Sequence, residues 1–153
     1  MTKVVASFDI AQVEVLTDLR RPMLNYLDRT EILKPQFSEG RGRGKKRRYS
    51  YSDVVILRSL ARLLKAGVGV LHLKRAIEKF RQNHPLDSDM GLTKFYFVTD
   101  GIDVFLKQSE EVVEQLSTGQ LAFAFVLEIG QVRKEVDDRL SHMEHGNEKL
   151  RSA

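Results

Sequence analysis

Apolar positions recur every three or four residues over the first half of the chain and every two over much of the second. Ile10, Val13 and Leu16 follow Asp9, with Gln12 three residues after that aspartate, which predicts a short helix opened by a capping box. "TDL" at 17–19 interrupts it. A second helix is predicted from near Arg21, with Pro22 in its first turn, where a missing N–H does no harm. Its Leu24 and Leu27 point inward, and it stops before Pro35. Two short helices separated by a three-residue break form a helix-turn-helix pattern. Ser50 and Asp53 make a second capping box, opening a longer helix with Leu57, Leu60, Ala61 and Leu64 along one side and Gly67 as its C-cap. A fourth helix is predicted from about Val70 to Gln82, with Val70, Leu73, Ile77 and Phe80 inward. "NHPLDSDMG" at 83–91 breaks the pattern and is the candidate domain boundary.

The period then becomes two. "KFYFVTDGIDVFLK" at 94–107 is a pair of alternating runs around Asp100 and Gly101, a hairpin signal. A two-residue turn would pair Thr99 with Ile102, Phe97 with Val104 and Phe95 with Leu106. Tyr96 and Val98 would lie opposite Phe105 and Asp103. Both faces are largely apolar, so both need cover. A short helix is predicted over 110–116, capped by Ser109 and closed by Gly119. "LAFAFVLEI" at 121–129 supplies a third strand. Residues 131–150 read as a charged helix with Val132, Val136, Leu140 and Met143 on one stripe. The predicted fold class is α+β. A winged helix-turn-helix over 1–83 is followed by a hairpin, strand and C-terminal helix over 92–150, and that second region is expected to form a homodimer through its uncovered apolar surface.

Composition adds limits. Over 153 residues, 42% hydrophobic and 30% charged residues are globular values. No apolar run approaches a membrane span, and the N-terminus has no signal-peptide core, so a cytoplasmic protein is expected. The absence of cysteine removes disulfides, thiolate metal sites and thiol chemistry. Charge is uneven. Residues 1–83 carry 18 Lys and Arg against 8 Asp and Glu, whereas residues 84–153 carry 7 against 13. A basic half beside an acidic half suggests a polyanion-binding module joined to a part that stays off the polyanion.

The basic charge concentrates in "SEGRGRGKKRRYSYSDV", residues 38–54, where Arg41, Arg43, Lys45, Lys46, Arg47 and Arg48 fall within the eight positions 41–48. This tract follows the helix-turn-helix and precedes a capped helix, as the wing of a winged domain would. The second helix would then enter the major groove and the loop would lie along phosphates. From "FDIAQVEVLTDLRRPMLNYLDRTEILKP" and "RRYSYSDVVILRSLARLLKAGVGVLHLKRAI" the chain resembles MerR-type regulators over residues 8–82. The second segment is similar to that family's wing-end Arg-Tyr-Ser, third helix, glycine turn and fourth helix. Ile32, Leu33, Lys34 and Pro35 stand at its Leu-Leu-Lys-Pro exit. The chain departs from the family at Asp18, in place of a turn glycine, at Asn25, in place of an arginine, and at Glu31, in place of the glycine before the exit. The resemblance implies that Arg20, Arg21, Asn25 and Tyr26 form the DNA-facing side of the second helix and that the basic loop and Tyr49 form the wing. Chemically, Arg21 suits guanine or phosphate, and Asn25 suits a bidentate pair with adenine.

Sensor and enzyme chemistry find little support. His142 and His145 lack a third ligand, no nucleotide-binding or hydrolase motif is present, and neither cofactor nor small-molecule effector is evident. Small sensor-less MerR-type repressors, including those encoded beside CRISPR-associated transposons, are similar in size and plan. The expectation is therefore a repressor that binds a double-stranded DNA operator with inverted-repeat symmetry. An excisionase-like accessory factor and an antitoxin-type interaction protein are the alternatives.

Overall fold

Asp9 opens the first helix as its sequence predicts. Its carboxylate accepts from the Gln12 backbone at 2.9 Å, while the Gln12 side chain accepts from the Asp9 backbone at 2.9 Å. The computed structural model describes residues 7–37, 46–83, 95–99, 104–108, 110–112 and 125–152. The chain divides into two compact units, residues 1–58 with 133–153, and residues 59–132. Beyond Asn83, which ends a helix, the candidate boundary at 83–91 lies outside the described residues. The secondary structure is mixed helix and strand, an α+β composition.

In the first unit, β1 (Ser7–Phe8) leads into α1 (Ile10–Thr17), a three-residue turn and α2 (Arg21–Arg29). β2 (Tyr49–Ser50) pairs antiparallel with β1, placing Phe8 opposite Tyr49, and both of these side chains are buried. α3 (Tyr51–Lys65) follows at once. Residues 52–57 of this helix are buried on every side, so its first half is a central element of the unit and not an amphipathic cover. Val13, Leu16, Leu24, Leu27, Ile32 and Leu33 complete the apolar interior. The last helix, α5 (Ile129–Ser152), contributes its residues from 133 onward to this unit.

Two turns of the first unit have left-handed backbone without glycine. Asp18 ends α1 at φ 66° and donates its N–H to the Glu14 carbonyl at 3.0 Å. Glu31 follows α2 at φ 63°. Its N–H reaches the Asp28 carbonyl at 3.1 Å, and the Ile32 N–H reaches that of Leu27 at 3.0 Å, the paired bonds of a Schellman ending. These are the two positions at which a glycine was expected from the MerR resemblance, and the conformation supplies the reason: both lie where L-residues are disfavoured.

The second unit holds the end of α3, then α4 (Val70–Asn83) and a three-stranded antiparallel sheet of β3 (Phe95–Thr99), β4 (Val104–Gln108) and β5 (Phe125–Glu128), with β3 in the middle. Gly67, at φ 99°, ends α3. The Gly67 N–H meets the Leu64 carbonyl and the Val68 N–H meets that of Leu63, so this end too is a Schellman motif. On α3, Leu57, Leu60 and Leu63 are the fully buried leucines, whereas Ala61 and Leu64 are half-buried. The buried stripe is thus rotated by one position from the predicted one. On α4, Leu73, Ala76 and Ile77 are buried and Val70 is half-buried; the Phe80 side chain lies outside the described residues.

The hairpin register differs from the expected one. Thr99 pairs with Val104, Phe97 with Leu106 and Phe95 with Gln108, so four residues, 100–103, separate the strands instead of two. The slip is by two, which keeps every side chain on its face, and apolar alternation cannot distinguish registers that differ by two. The observed one sets Val98 opposite Phe105 instead of the expected Asp103. Phe97 and Val98 lie on opposite faces of β3 and are both buried, so both faces are covered there. The turn at Asp100 and Gly101, Gly119, most of the short helix predicted over 110–116 and the first half of the third strand lie outside the described residues. Among the described residues, no helix is long and apolar enough to cross a membrane.

Candidate nucleic-acid interface

The two short helices of the first unit are held in place by a side chain absent from the predicted site. The Glu14 carboxylate accepts from the Arg21 backbone N–H at 2.9 Å and from the Arg21 guanidinium at 3.1 Å. It therefore caps α2 from the preceding helix, because Arg20 at the N-cap makes no side-chain capping bond. Buried Thr17 fastens the turn, donating to the Val13 carbonyl at 2.7 Å and accepting from the Leu19 N–H at 3.2 Å. Arg20, Arg21 and Asn25 are exposed on α2. Tyr26 is half-buried and Arg29 lies over its ring, 5.8 Å from the centroid.

The basic loop closes at its base, where the Phe37 N–H meets the Arg48 carbonyl at 3.0 Å. Below that closure, buried Asp53 accepts from the Gln36 N–H at 2.8 Å and from the Ser50 N–H at 2.9 Å, while the Ser50 hydroxyl accepts from the Asp53 N–H at 3.0 Å. The predicted capping box of α3 thus also anchors the segment that enters the loop at Gln36. Arg41, Arg43 and Lys45 lie outside the described residues. Lys46 is exposed. Arg47 turns toward α2: its Nη2 donates to Asn25 Oδ1, and its Nη1 lies 3.6 Å from Asp28 Oδ2. Arg48 turns the other way, donating to the Ser7 hydroxyl at 2.8 Å and the Ser7 carbonyl at 3.2 Å.

Tyr49 corrects an expectation. The resemblance implied a place for it on the DNA-facing wing, yet it is 1% exposed and lies opposite Phe8. Burial raises its pKa, and the neighbouring Arg47 charge opposes that only in part. The resemblance alone implied a place on the wing; here the pairing of β1 with β2 turns the side chain inward.

A second charged cluster braces the turn from behind. The Asp18 carboxylate accepts from Arg139 at 2.7 and 2.9 Å and from Arg58 at 2.9 Å. Arg58 also donates to Glu135 at 3.1 Å and to the Thr17 carbonyl at 3.3 Å. The Tyr51 hydroxyl donates to Asp137, and Arg133 lies over the Tyr51 ring. Two carboxylates of α5, Glu135 and Asp137, thus meet a basic and a hydroxyl partner within their own unit. His142 Nδ1 lies 2.8 Å from the Asp138 carbonyl, and among the described residues no group of three or more His, Asp or Glu is placed to hold a metal ion.

No protein-family model matches the sequence. Over 105 residues, 68% of the chain, it is 30% identical to proteins of Mycobacterium tuberculosis and Mycobacterium bovis named uncharacterised HTH-type transcriptional regulators. The chain is similar to helix-turn-helix regulators. The match takes in 45% of the length of each of those proteins, so the chain spans about half of the relatives it matches. Their names agree with the pair of short helices, the tight turn and the exposed basic second helix of the first unit.

Proposed function

We propose that the chain is a sequence-specific DNA-binding transcriptional regulator whose first unit is a MerR-like winged helix-turn-helix. One observation carries the reading. Asn25, exposed on α2 beside exposed Arg20 and Arg21, accepts from Arg47 where the chain leaves the basic tract, so a helix suited to the major groove is tied to the base of a segment suited to phosphate. The relatives named as HTH-type regulators support it. In this reading Arg20, Arg21, Asn25 and Tyr26 face the groove, and Arg41, Arg43, Lys45, Lys46 and Arg48 supply the flanking positive charge.

The protein acts as a homodimeric repressor on an inverted-repeat operator. Val132 and Val136 are already buried within the chain, and the half-buried Leu140 and Met143 of α5 remain as apolar positions for a partner copy. A genome-wide binding map of the full chain, followed by footprinting of an enriched site and sedimentation of the protein, tests the reading. Discrete sites with dyad symmetry bound by a dimer are expected. Uniform, sequence-independent binding, or none, would overturn it, and a monomer on an asymmetric site would remove the dimer alone.

A further inference from the structure

Arginine is a donor-only side chain, with five N–H groups and no acceptor. The contact between Arg47 and Asn25 therefore settles which end of the Asn25 amide faces the loop: the oxygen meets the guanidinium, and the NH2 group faces away. Asn25 is itself exposed on α2, one turn before Asp28, and the two residues share a helix face. Arg47 is held against both. Its guanidinium is 3.6 Å from Asp28, and these two side chains are only 22% and 18% exposed. An arginine fixed at two points in this way is not free to follow phosphates.

We infer that Arg47 is a positioning residue for base readout, taking up the Asn25 carbonyl oxygen so that Asn25 meets the major groove as a donor and reads guanine instead of adenine. Adenine requires an acceptor and a donor from the amide, for N6–H and N7. Its N6–H would have to share the Asn25 oxygen with a guanidinium. Guanine presents two acceptors, N7 and O6, and matches the NH2 group that remains. Asp28 balances much of the Arg47 charge, so this arginine adds less to general DNA affinity than its neighbours in the loop.

The inference rests on the proposal that α2 enters the major groove, and the test separates the two. Binding sites are selected from a randomised duplex pool with the full-length protein and with Asn25→Ala, Arg47→Ala and Arg47→Lys. The wild type is expected to enrich a guanine whose preference disappears in Asn25→Ala. In Arg47→Ala the same position moves toward adenine by roughly tenfold. Arg47→Lys keeps the charge but cannot bridge both partners, and it shifts the same way. A wild-type motif with adenine at the Asn25-dependent position, or an unchanged guanine in Arg47→Ala, overturns the inference and leaves DNA reading intact. A motif insensitive to Asn25→Ala does so as well. Failure of the wild type to enrich any motif overturns both.

Discussion

The Arg139 guanidinium donates to both carboxylate oxygens of Asp18, at 2.7 and 2.9 Å, joining the last helix to the turn between α1 and α2. Arg139 also donates to the Val15 carbonyl at 3.0 Å, so the fork grips backbone and side chain of one turn. Because Asp18 sits at φ 66°, the ion cluster stabilises a conformation that an L-residue resists.

Asp18→Asn keeps a residue type tolerant of left-handed backbone and removes the charge. The Asp18 side chain is 60% exposed, so solvent screening limits the loss to about 1 kcal/mol in denaturant unfolding. The Arg139 hydrogen bond, with the charges of Arg139 and Arg58, lowers the Asp18 pKa below its ordinary 3.8. A depressed carboxylate contributes stability that is fully present above the unfolded-state value and lost as pH falls through the folded one. The gap between wild type and Asp18→Asn should therefore be constant near neutrality and close below about pH 4. A gap that widened on acidification would contradict the assignment.

Glu31 and Asp18 share a backbone conformation but differ in what their side chains do. Glu31 has an exposed ion pair with Lys34 at 3.0 Å, the kind that contributes little. Glu31→Gly should therefore stabilise the protein by about 1 kcal/mol, as relief of the left-handed strain outweighs the lost contact. Asp18→Gly relieves the same strain but forfeits the Arg58 and Arg139 bonds, and no gain in thermal midpoint is expected. Equal shifts for the two variants would mean that the Asp18 cluster contributes nothing.

Asp53 is 4% exposed and serves two backbone N–H groups on separate segments, Gln36 and Ser50. Asp53→Ala leaves the buried Ser50 donor and the part-buried Gln36 donor without this acceptor and should cost about 3 kcal/mol. Hydrogen exchange at Gln36 and Ser50 should accelerate together. Protection retained at either amide would show that another group replaces the carboxylate there.

Lys46 and Arg48 are adjacent cations with different surroundings. Exposed Lys46 is available to phosphate, and Lys46→Ala should lower the slope of log affinity against log salt by about one. Arg48 is bound to Ser7, and Arg48→Ala should instead lower the thermal midpoint, with a slope change less than roughly half as large. Titrations of one duplex at several salt concentrations distinguish the two, and identical slopes would remove the distinction.

Local features were legible in the sequence because their partners lie within a few residues. The Asp9 and Gln12 capping box, the Ser50 and Asp53 box, Pro22 in the first turn of α2 and Gly67 beyond α3 are all set by backbone geometry over one helical turn, and the residue types carry that geometry with them. Periodicity likewise named the elements, since burial of one face repeats with the helix or strand period. It could not decide the β3–β4 register, because a slip of two residues leaves the same apolar alternation, and only the packed sheet distinguishes Val98 opposite Phe105 from Val98 opposite Asp103. Nor does sequence spacing indicate that Arg47 meets Asn25, 22 positions away, or that Arg139 meets Asp18, 121 positions away. Charged side chains are interchangeable on a helical wheel; which cation reaches which carboxylate depends on chain segments brought together by burial of the apolar core. The same cause turns Tyr49 inward, since its pairing opposite Phe8 across β1 and β2 exists only once the two ends of the first unit have met.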